Sequence, residues 1–364
     1  MLVNGKPYRS IWLAENGWAV EIIDQTRLPH EFIISKLETL DDAVHAITAM
    51  LVRGAPLIGA TAAYGICLGL REKCTREQLE HVSQKLMQSR PTAVNLQWAV
   101  ERMGQLLQQC PEEQWLERAY QEAARICDED CAVNEAIGNH GVELIKQIWE
   151  ADPGKEKVNV LTHCNAGWLA TVDWGTALAP VYKAMEAGIP VHVWVDETRP
   201  RNQGAHLTAW ELASAGIDHH LIVDNAGGHL MQHGQVDLCI VGTDRTAASG
   251  DVCNKIGTYL KALAAKDNHI PFYVCLPGST IDWNAEDGIT DIPIEEREQD
   301  EVLLVQGKNS AGAVELVQIA GDGTSAANPA FDVTPAHLVT GLVTERGIAE
   351  LGKEGLLKLY PEKA

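Results

Sequence analysis

The spacing of apolar and polar positions changes twice along the chain. Within residues 1–35 the runs are short and alternating, as in Ala19–Ile23 before Asp24 and Gln25, which predicts a small β-ribbon. From Leu40 to Glu150 apolar residues recur at three- and four-residue steps, as in Ala43, Ile47, Met50 and Leu51, the period of helices packed on one face. Pro56 and Pro91 stand where helices can begin, because a first turn leaves the missing N–H unpaired in any case. Ala55–Leu70 is strongly apolar but interrupted by Gly59, Thr61, Gly65 and Gly69, so it reads as a buried helix and not a membrane span. Asp152-Pro153-Gly154 breaks the helical pattern. The division expected is a mostly helical domain over 1–150 and a second domain over 151–364.

Beyond that break, β-branched runs alternate with helical stretches. Strands are expected at Val158–Thr162, Val191–Val195, His220–Val223, Val236–Val241 and Pro271–Leu276. Helices are expected at Gly175–Ala187, Ala205–Ala215 and Lys255–Ala265, with a last one after Thr334-Pro335, Thr as cap and Pro in the first turn. Strand and helix alternating in this way predict an α/β fold, a doubly wound parallel sheet covered on both faces.

Length and composition narrow the function. At 364 residues, with 46% hydrophobic and 22% charged, the chain has the balance of an ordinary globular protein of two domains. Lys and Arg number 29 against 50 Asp and Glu, so the net charge is 29 − 50 = −21. Such a surface repels nucleic acid and anionic lipid, and no Lys/Arg-rich run offsets it. An anionic small molecule remains open as a ligand, provided that a few placed cations hold it. The nine cysteines are odd in number and scattered, which favours reduced thiols and a cytoplasmic setting. The first residues lack a basic end and an apolar run, so no secretory leader is expected. Cys127 and Cys131 are weak zinc candidates without a second pair.

In doubly wound sheets ligands bind past the carboxyl ends of the strands. Those ends here read His163-Cys164-Asn165-Ala166-Gly167, Asp196-Glu197-Thr198-Arg199-Pro200, Asp224-Asn225-Ala226-Gly227-Gly228, Gly242-Thr243-Asp244-Arg245 and Leu276-Pro277-Gly278-Ser279-Thr280. All five are polar and rich in small residues. No dinucleotide fingerprint, P-loop, H-E-x-x-H, paired C-x-x-C or G-x-S-x-G occurs, which removes the usual support for nucleotide, zinc or serine chemistry. Cys164 is the sharpest candidate: at the start of a following helix its thiolate would be favoured, although a small cysteine also suits a core. His163 is poorly placed as its base, since neighbours in a strand point to opposite faces. Asp244 follows an apolar strand, where desolvation would raise its pKa from ~3.9 and keep it protonated as a general acid. A helix cap or a partner for Arg245 is the plainer alternative. Asp196 and Asp224 occupy similar ends, and at least one is expected to be structural. The candidate cations are Arg53, before Gly54-Ala55-Pro56 at a helix start, Arg90 before Pro91, and Lys255 after Asn254 at the start of another helix.

These residues fall inside longer motifs. RGAPLIG, SRPTAVNL, HCNAG, DETRP with NQGA, LTAWEL, GTDR, GDVCNKIGTY, IPFYV, IPIEER and NPAFDVTP occur in the order found in methylthioribose-1-phosphate isomerases, and the chain resembles that family from about residue 50 to 345. The wider family includes ribose-1,5-bisphosphate isomerases and regulatory subunits of a translation-initiation exchange factor. The resemblance implies conversion of 5-methylthioribose 1-phosphate to 5-methylthioribulose 1-phosphate in methionine salvage, without metal or cofactor. It implies a homodimer and a Rossmann-like catalytic domain joined to a helical one that contributes phosphate contacts. It places catalysis on Cys164 and Asp244, and substrate binding on Arg53, Gly54, Ala55, Arg90, Gln203, Asn254 and Lys255. Of these, Gln203 comes from the resemblance alone.

Three places depart from the commoner pattern: Trp168, the Val172-Asp173-Trp174 stretch, and His206 where arginine is more usual. The two indoles would either fill the core or shape a pocket for the C5 substituent. A related reaction uses 5-deoxyribose 1-phosphate, which this chain is also expected to accept. A non-catalytic regulatory subunit that senses sugar phosphates is the alternative from another class; a cysteine hydrolase lacks a suitably placed histidine.

Overall fold

The computed structural model describes residues 1–364. The chain opens on a ribbon of β1 (Leu2–Val3) and β2 (Lys6–Pro7), followed by an antiparallel sheet of β3 (Ile11–Leu13), β4 (Val20–Ile23) and β5 (Ile34–Leu37). Five helices follow: α1 (Leu40–Thr48), α2 (Ala55–Glu72), α3 (Arg76–Ser89), α4 (Val94–Gln108) and the long α5 (Trp115–Ala151). Thr39 and Asp42 form a capping box on α1, and Thr75 caps α3. α2 is buried nearly all round, which explains its continuous apolar run. α3 lies close against it, since a Cβ on Gly69 would fall 2.4 Å from Val82.

The second half supplies β6 (Val158–Thr162), α6 (Ala179–Glu186), β7 (Val191–Asp196), α7 (Ala209–Ala215), β8 (Asp218–Ile222), α8 (Ala226–Gln232), β9 (Leu238–Val241), β10 (Arg245–Ala247) and β11 (Val252–Lys255). After these come α9 (Thr258–Asp267), β12 (Phe272–Cys275), β13 (Ile281–Asp282), α10 (Gly288–Asp291), α11 (Asp300–Leu303), β14 (Leu304–Lys308) and β15 (Val314–Gln318). The chain ends with β16 (Phe331–Thr334), β17 (Gly341–Thr344), β18 (Gly347–Ala349) and α12 (Lys353–Leu359).

The main sheet has seven strands in the order β18-β17-β12-β9-β6-β7-β8, parallel except for β18. From β6 the chain winds one way through β7 and β8, then the other way through β9, β12 and β17. The switch point therefore lies between β6 and β9, where a doubly wound sheet opens its ligand crevice. A smaller sheet, β13-β10-β11-β16, covers that carboxyl edge.

Two cores meet along α5. Ala119, Ala123 and Ile126 join a cluster around α2, whereas Ile137, Leu144 and Ile145 join the cluster under the main sheet, together with Val3, Ile23 and Leu28 from the amino-terminal segment. No helix is long and apolar enough to cross a membrane.

Three expected helix starts are corrected. Pro91 opens no helix: it sits in a turn between Arg90, which ends α3 outside the helical region as a pre-proline residue favours, and Val94. Asn254 and Lys255 end a strand and do not begin a helix, because β11 pairs with β16 through Asn254–Asp332 and Lys255–Phe331. Thr334-Pro335 leads into a single short turn, Ala336–Leu338, before β17; the hydroxyl of Thr334 is buried without a partner, and the Ala336 N–H is taken by Asp251.

Candidate active site at the switch point

The loops after β6 and β9 stand side by side, and the start of α2 closes over them. Arg53, Gly54 and Ala55 line one pocket with Cys164, Asn165, Asp244 and Asn254. A second pocket shares Ala55 and Asp244 with the first and adds Arg90. A larger cavity of about 330 Å³ shares Arg53 and adds Gln203 and His206. The cleft is thus three adjoining pockets joined at Arg53, Ala55 and Asp244. Lys255, on the strand beside them, lines none of the three, yet its charge acts on Cys164.

Cys164 is buried, with φ of +66°, a conformation that suits few side chains. Thr198 and Thr208 hold it there: the Cys164 N–H donates to Thr198 Oγ1 at 2.8 Å, and Thr208 Oγ1 donates to the Cys164 carbonyl at 2.7 Å. No α-helix begins after it; the next element is a short turn over Trp168–Ala170, so the expected helix-dipole support is absent. Burial pushes the thiol up, and the charges of Arg53 and Lys255 pull it back only in part.

Asp244 is half-buried between β9 and β10, its N–H donating to the Cys253 carbonyl at 3.0 Å. It caps no helix. Arg245 is not its partner either, since that guanidinium reaches Asp282 at 3.4 Å and the Thr92 carbonyl at 2.6 Å. Its carboxylate is left facing the pocket that also holds Cys164.

Each cation is placed by the fold. Arg53 is buried and donates to both the side chain and, at 2.8 Å, the carbonyl of Asn165. Gly54 adopts φ +93° and abuts Ala170 so closely that a Cβ would fall 2.3 Å from its carbonyl oxygen. That contact brings the free N–H groups of α2 to the pocket. Lys255 is buried, and burial pulls its ammonium down while Cys164 and Asp244 oppose this. Arg90 reaches Glu295 at 3.5 Å from the pocket that holds Asp244. Asn254 donates to Thr258 at 2.9 Å, and Gln203 is buried with its Oε1 unpartnered.

A profile of the Initiation factor 2 subunit family matches residues 51–351. A methylthioribose-1-phosphate isomerase from Rhodospirillum rubrum is 61% identical over 368 aligned residues, covering 100% of this chain and 94% of its own. One from Paramagnetospirillum magneticum is 60% identical with both chains covered in full. This chain belongs to the methylthioribose-1-phosphate isomerase family. Among solved structures, a 5-methylthioribose 1-phosphate isomerase from Pyrococcus horikoshii OT3 superposes with a TM-score of 0.83 at 40% identity, covering 98% of this chain and 97% of its own. A chain from A. fulgidus described as translation initiation factor eIF-2B, subunit delta, gives 0.80 at 40% identity, covering 98% and 100%. The fold is therefore shared by proteins of different description, and function has to be argued from the site.

Of the five strand ends, those after β6, β9 and β12 line the central pocket. The other two brace it. Asp224 accepts the N–H groups of Thr198 and Arg199, both at 2.8 Å, and so holds the loop that holds Cys164. Asp196 is fully buried against His163 Nδ1 at 2.9 Å and Lys261 Nζ at 3.0 Å. Both aspartates are thus structural. His163, Asp196 and Asp224 have the makings of a cation site, and the Lys261 ammonium, which also donates to the Asp224 carbonyl, already fills that role.

Sequence reasoning missed Glu211. Its carboxylate accepts from Asn165 Nδ2 at 2.9 Å, the Trp168 and Leu169 N–H groups at 3.0 Å, and Tyr182 Oη at 2.8 Å. Burial raises its pKa against the pull of those donors. A glutamate inside the apolar LTAWEL run was the available signal. Trp168 lies in the core against Trp210, and Trp174 stacks with Lys183 at 3.9 Å; neither lines the three pockets. The indoles pack the body of the domain and do not shape the cleft. His206 does line the large cavity, and burial lowers its pKa to about 4, so it is neutral there.

Proposed function

We propose that this enzyme is an aldose–ketose isomerase that converts 5-methylthioribose 1-phosphate to 5-methylthioribulose 1-phosphate, with Cys164 and Asp244 as its acid–base pair. The observation that carries the reading is the pairing itself. One thiol and one otherwise unengaged carboxyl line a single pocket at the switch point, with Arg53 in its wall, Arg90 in the adjoining pocket and Lys255 near enough for its charge to act on the thiol, in a chain whose net charge is −21.

Phosphate on the anomeric oxygen leaves the sugar without a free aldehyde, so the ring has to be opened by acid. Arg53, Arg90, Lys255 and the backbone N–H groups around Gly54 and Ala55 take the phosphate. Gln203 and Asn254 offer amides to the sugar hydroxyls. Asp244, as general acid, gives a proton to the ring oxygen as the C–O bond breaks. Cys164 takes the proton from C2, the C1–C2 enol phosphate forms, and the same sulfur returns the proton to C1 as the C2 hydroxyl gives its own proton to the Asp244 carboxylate and becomes the ketone, which restores both residues. Nothing is oxidised or reduced overall, and the residues require no metal or cofactor for these steps.

The burial of Cys164 favours a second route, a hydride shift from C2 to C1, because it disfavours the thiolate that the first route needs. Turnover in deuterated water separates the two: deuterium at C1 of the ketose is expected for the proton route, and its complete absence assigns the shift. Without turnover of the methylthio substrate under any condition, the functional reading itself fails.

The large cavity gives room for the C5 arm, with Met50, Leu207, Leu304 and Leu316 as its apolar lining. That lining suits a methylthio or a methyl group alike, so 5-deoxyribose 1-phosphate is proposed as a second substrate, measured by kcat/KM on both. A homodimer, checked by sedimentation, and a reducing cytoplasm, in keeping with nine free cysteines, complete the proposal. The division into a helical domain over 1–150 and a catalytic domain over 151–364 is proposed with it, and limited proteolysis near Asp152 tests it.

A further inference from the structure

At the opposite end of the main sheet, where β7 and β8 begin, three side chains converge on one face. His192 and Asp218 are register partners across the parallel pair, and His220 lies two residues beyond Asp218 on the same side. One donor atom from each lies within 4.8 Å of the others. His192 Nε2 and His220 Nδ1 stand 2.7 Å apart, so their lone-pair directions meet and the pair has room for only one proton between them. We propose that this cluster is a divalent-metal site, taking zinc through two imidazoles and one carboxylate.

Donor type, spacing and access agree with that assignment. Two histidines and an aspartate are a common ligand set for zinc, with nitrogen and oxygen atoms about 2.0–2.2 Å from the ion and a fourth place left to water. Tetrahedral geometry at those distances sets the two nitrogens roughly 3.3 Å apart, a small opening of the present contact. His192 is buried and its Nδ1 finds no partner, so His220 is the ring's one hydrogen-bonding contact.

Lys157 reaches Asp218 Oδ2 at 2.7 Å. The other neighbours are Trp194, whose ring stands 5.5 Å from that of His220, and His219, which turns away to the Ile217 carbonyl. Asp218 and His220 are exposed, so an ion reaches them from solvent. In the His163, Asp196 and Asp224 group one lysine ammonium bonds both Asp196 and the Asp224 carbonyl, whereas here Lys157 pairs with Asp218 alone and neither histidine bonds a lysine.

Calorimetric titration of Zn²⁺ into the chelator-treated full-length protein tests the site, with thermal unfolding and turnover measured on the same samples. One equivalent is expected to bind, to raise the Tm and to leave kcat unchanged; His220→Ala and Asp218→Asn are expected to lose that equivalent and keep wild-type activity. Co²⁺ in place of Zn²⁺ checks the donors: visible ligand-field bands without a sulfur-to-cobalt band in the near ultraviolet are expected. No saturable binding, binding that survives His220→Ala, or a sulfur-to-cobalt band that marks cysteines as the ligands would each overturn the assignment.

Discussion

Around α2 the enclosed side chains are apolar almost to the last one, with Ile58, Ile66, Leu68 and Leu70 touching α3, α4 and α5 through methyl groups. Where the same helix begins, the enclosed side chains are Arg53, Asn165, Glu211, Lys255, Asp196 and His163. Both regions exclude water, but they hold together differently. The helical body tolerates any filling of the right volume, at a cost that scales with the methyl groups removed. The polar belt has to satisfy each charge by direction, and an unmatched member is expensive. The body carries stability, and the belt fixes the places of a few atoms.

The largest effect expected separates the two regions by function. Cys164→Ser and Asp244→Asn each lower kcat by about 10²–10⁴-fold, the usual worth of a placed acid or base, while the Tm stays near the wild-type value. Near-normal turnover in either variant removes that residue from the chemistry. Next comes the converse change. Ile66→Ala, fully enclosed in mid-helix, lowers stability by about 2–5 kcal/mol in denaturant unfolding and leaves kcat/KM within twofold at temperatures where the fold persists. A loss of activity as large as that of Cys164→Ser would erase the distinction.

The smallest effect concerns the seam between the regions. Asp130, on α5, accepts the Val172 N–H at 2.7 Å, and burial lifts its pKa from the ordinary 3.8 to about 7. The folded state thus holds this proton more tightly than the unfolded chain does. Its contribution is complete below about pH 4 and is lost as the pH rises through 7. Asp130→Asn keeps the acceptor and removes the titration. The variant is expected to unfold a few degrees above wild type at pH 8 and to match it at pH 4; equal Tm differences at both values would show that Asp130 does not titrate in this range.

The body was easier to read from the sequence than the belt. Five of the six parallel strands were legible as short apolar runs ending in small polar residues, with Cys164 and Asp244 at two of those ends, and β17 was not; Arg53 was legible at the start of a helix. The misread starts near Asn254 and Thr334 share one cause: β11 and β16 pair across a long stretch of chain, and nothing local in GDVCNKIG announces the strand. Lys261 gave no sign in the sequence, and Glu211 only that of a glutamate in an apolar run, for a similar reason. Their partners, Asn165 and Asp196, lie 46 and 65 positions away, so only the folded chain shows that each answers a buried group.

The line from Glu211 through Asn165 to Arg53 has a thermodynamic sequel. A surface arginine that grips an anion gives up its rotational freedom at that moment, and its affinity is diminished accordingly. Here the guanidinium surrendered that freedom when the chain folded, pinned by an amide that is itself pinned by a carboxylate. The incoming ester meets a limb already frozen in place, so its capture draws little on entropy.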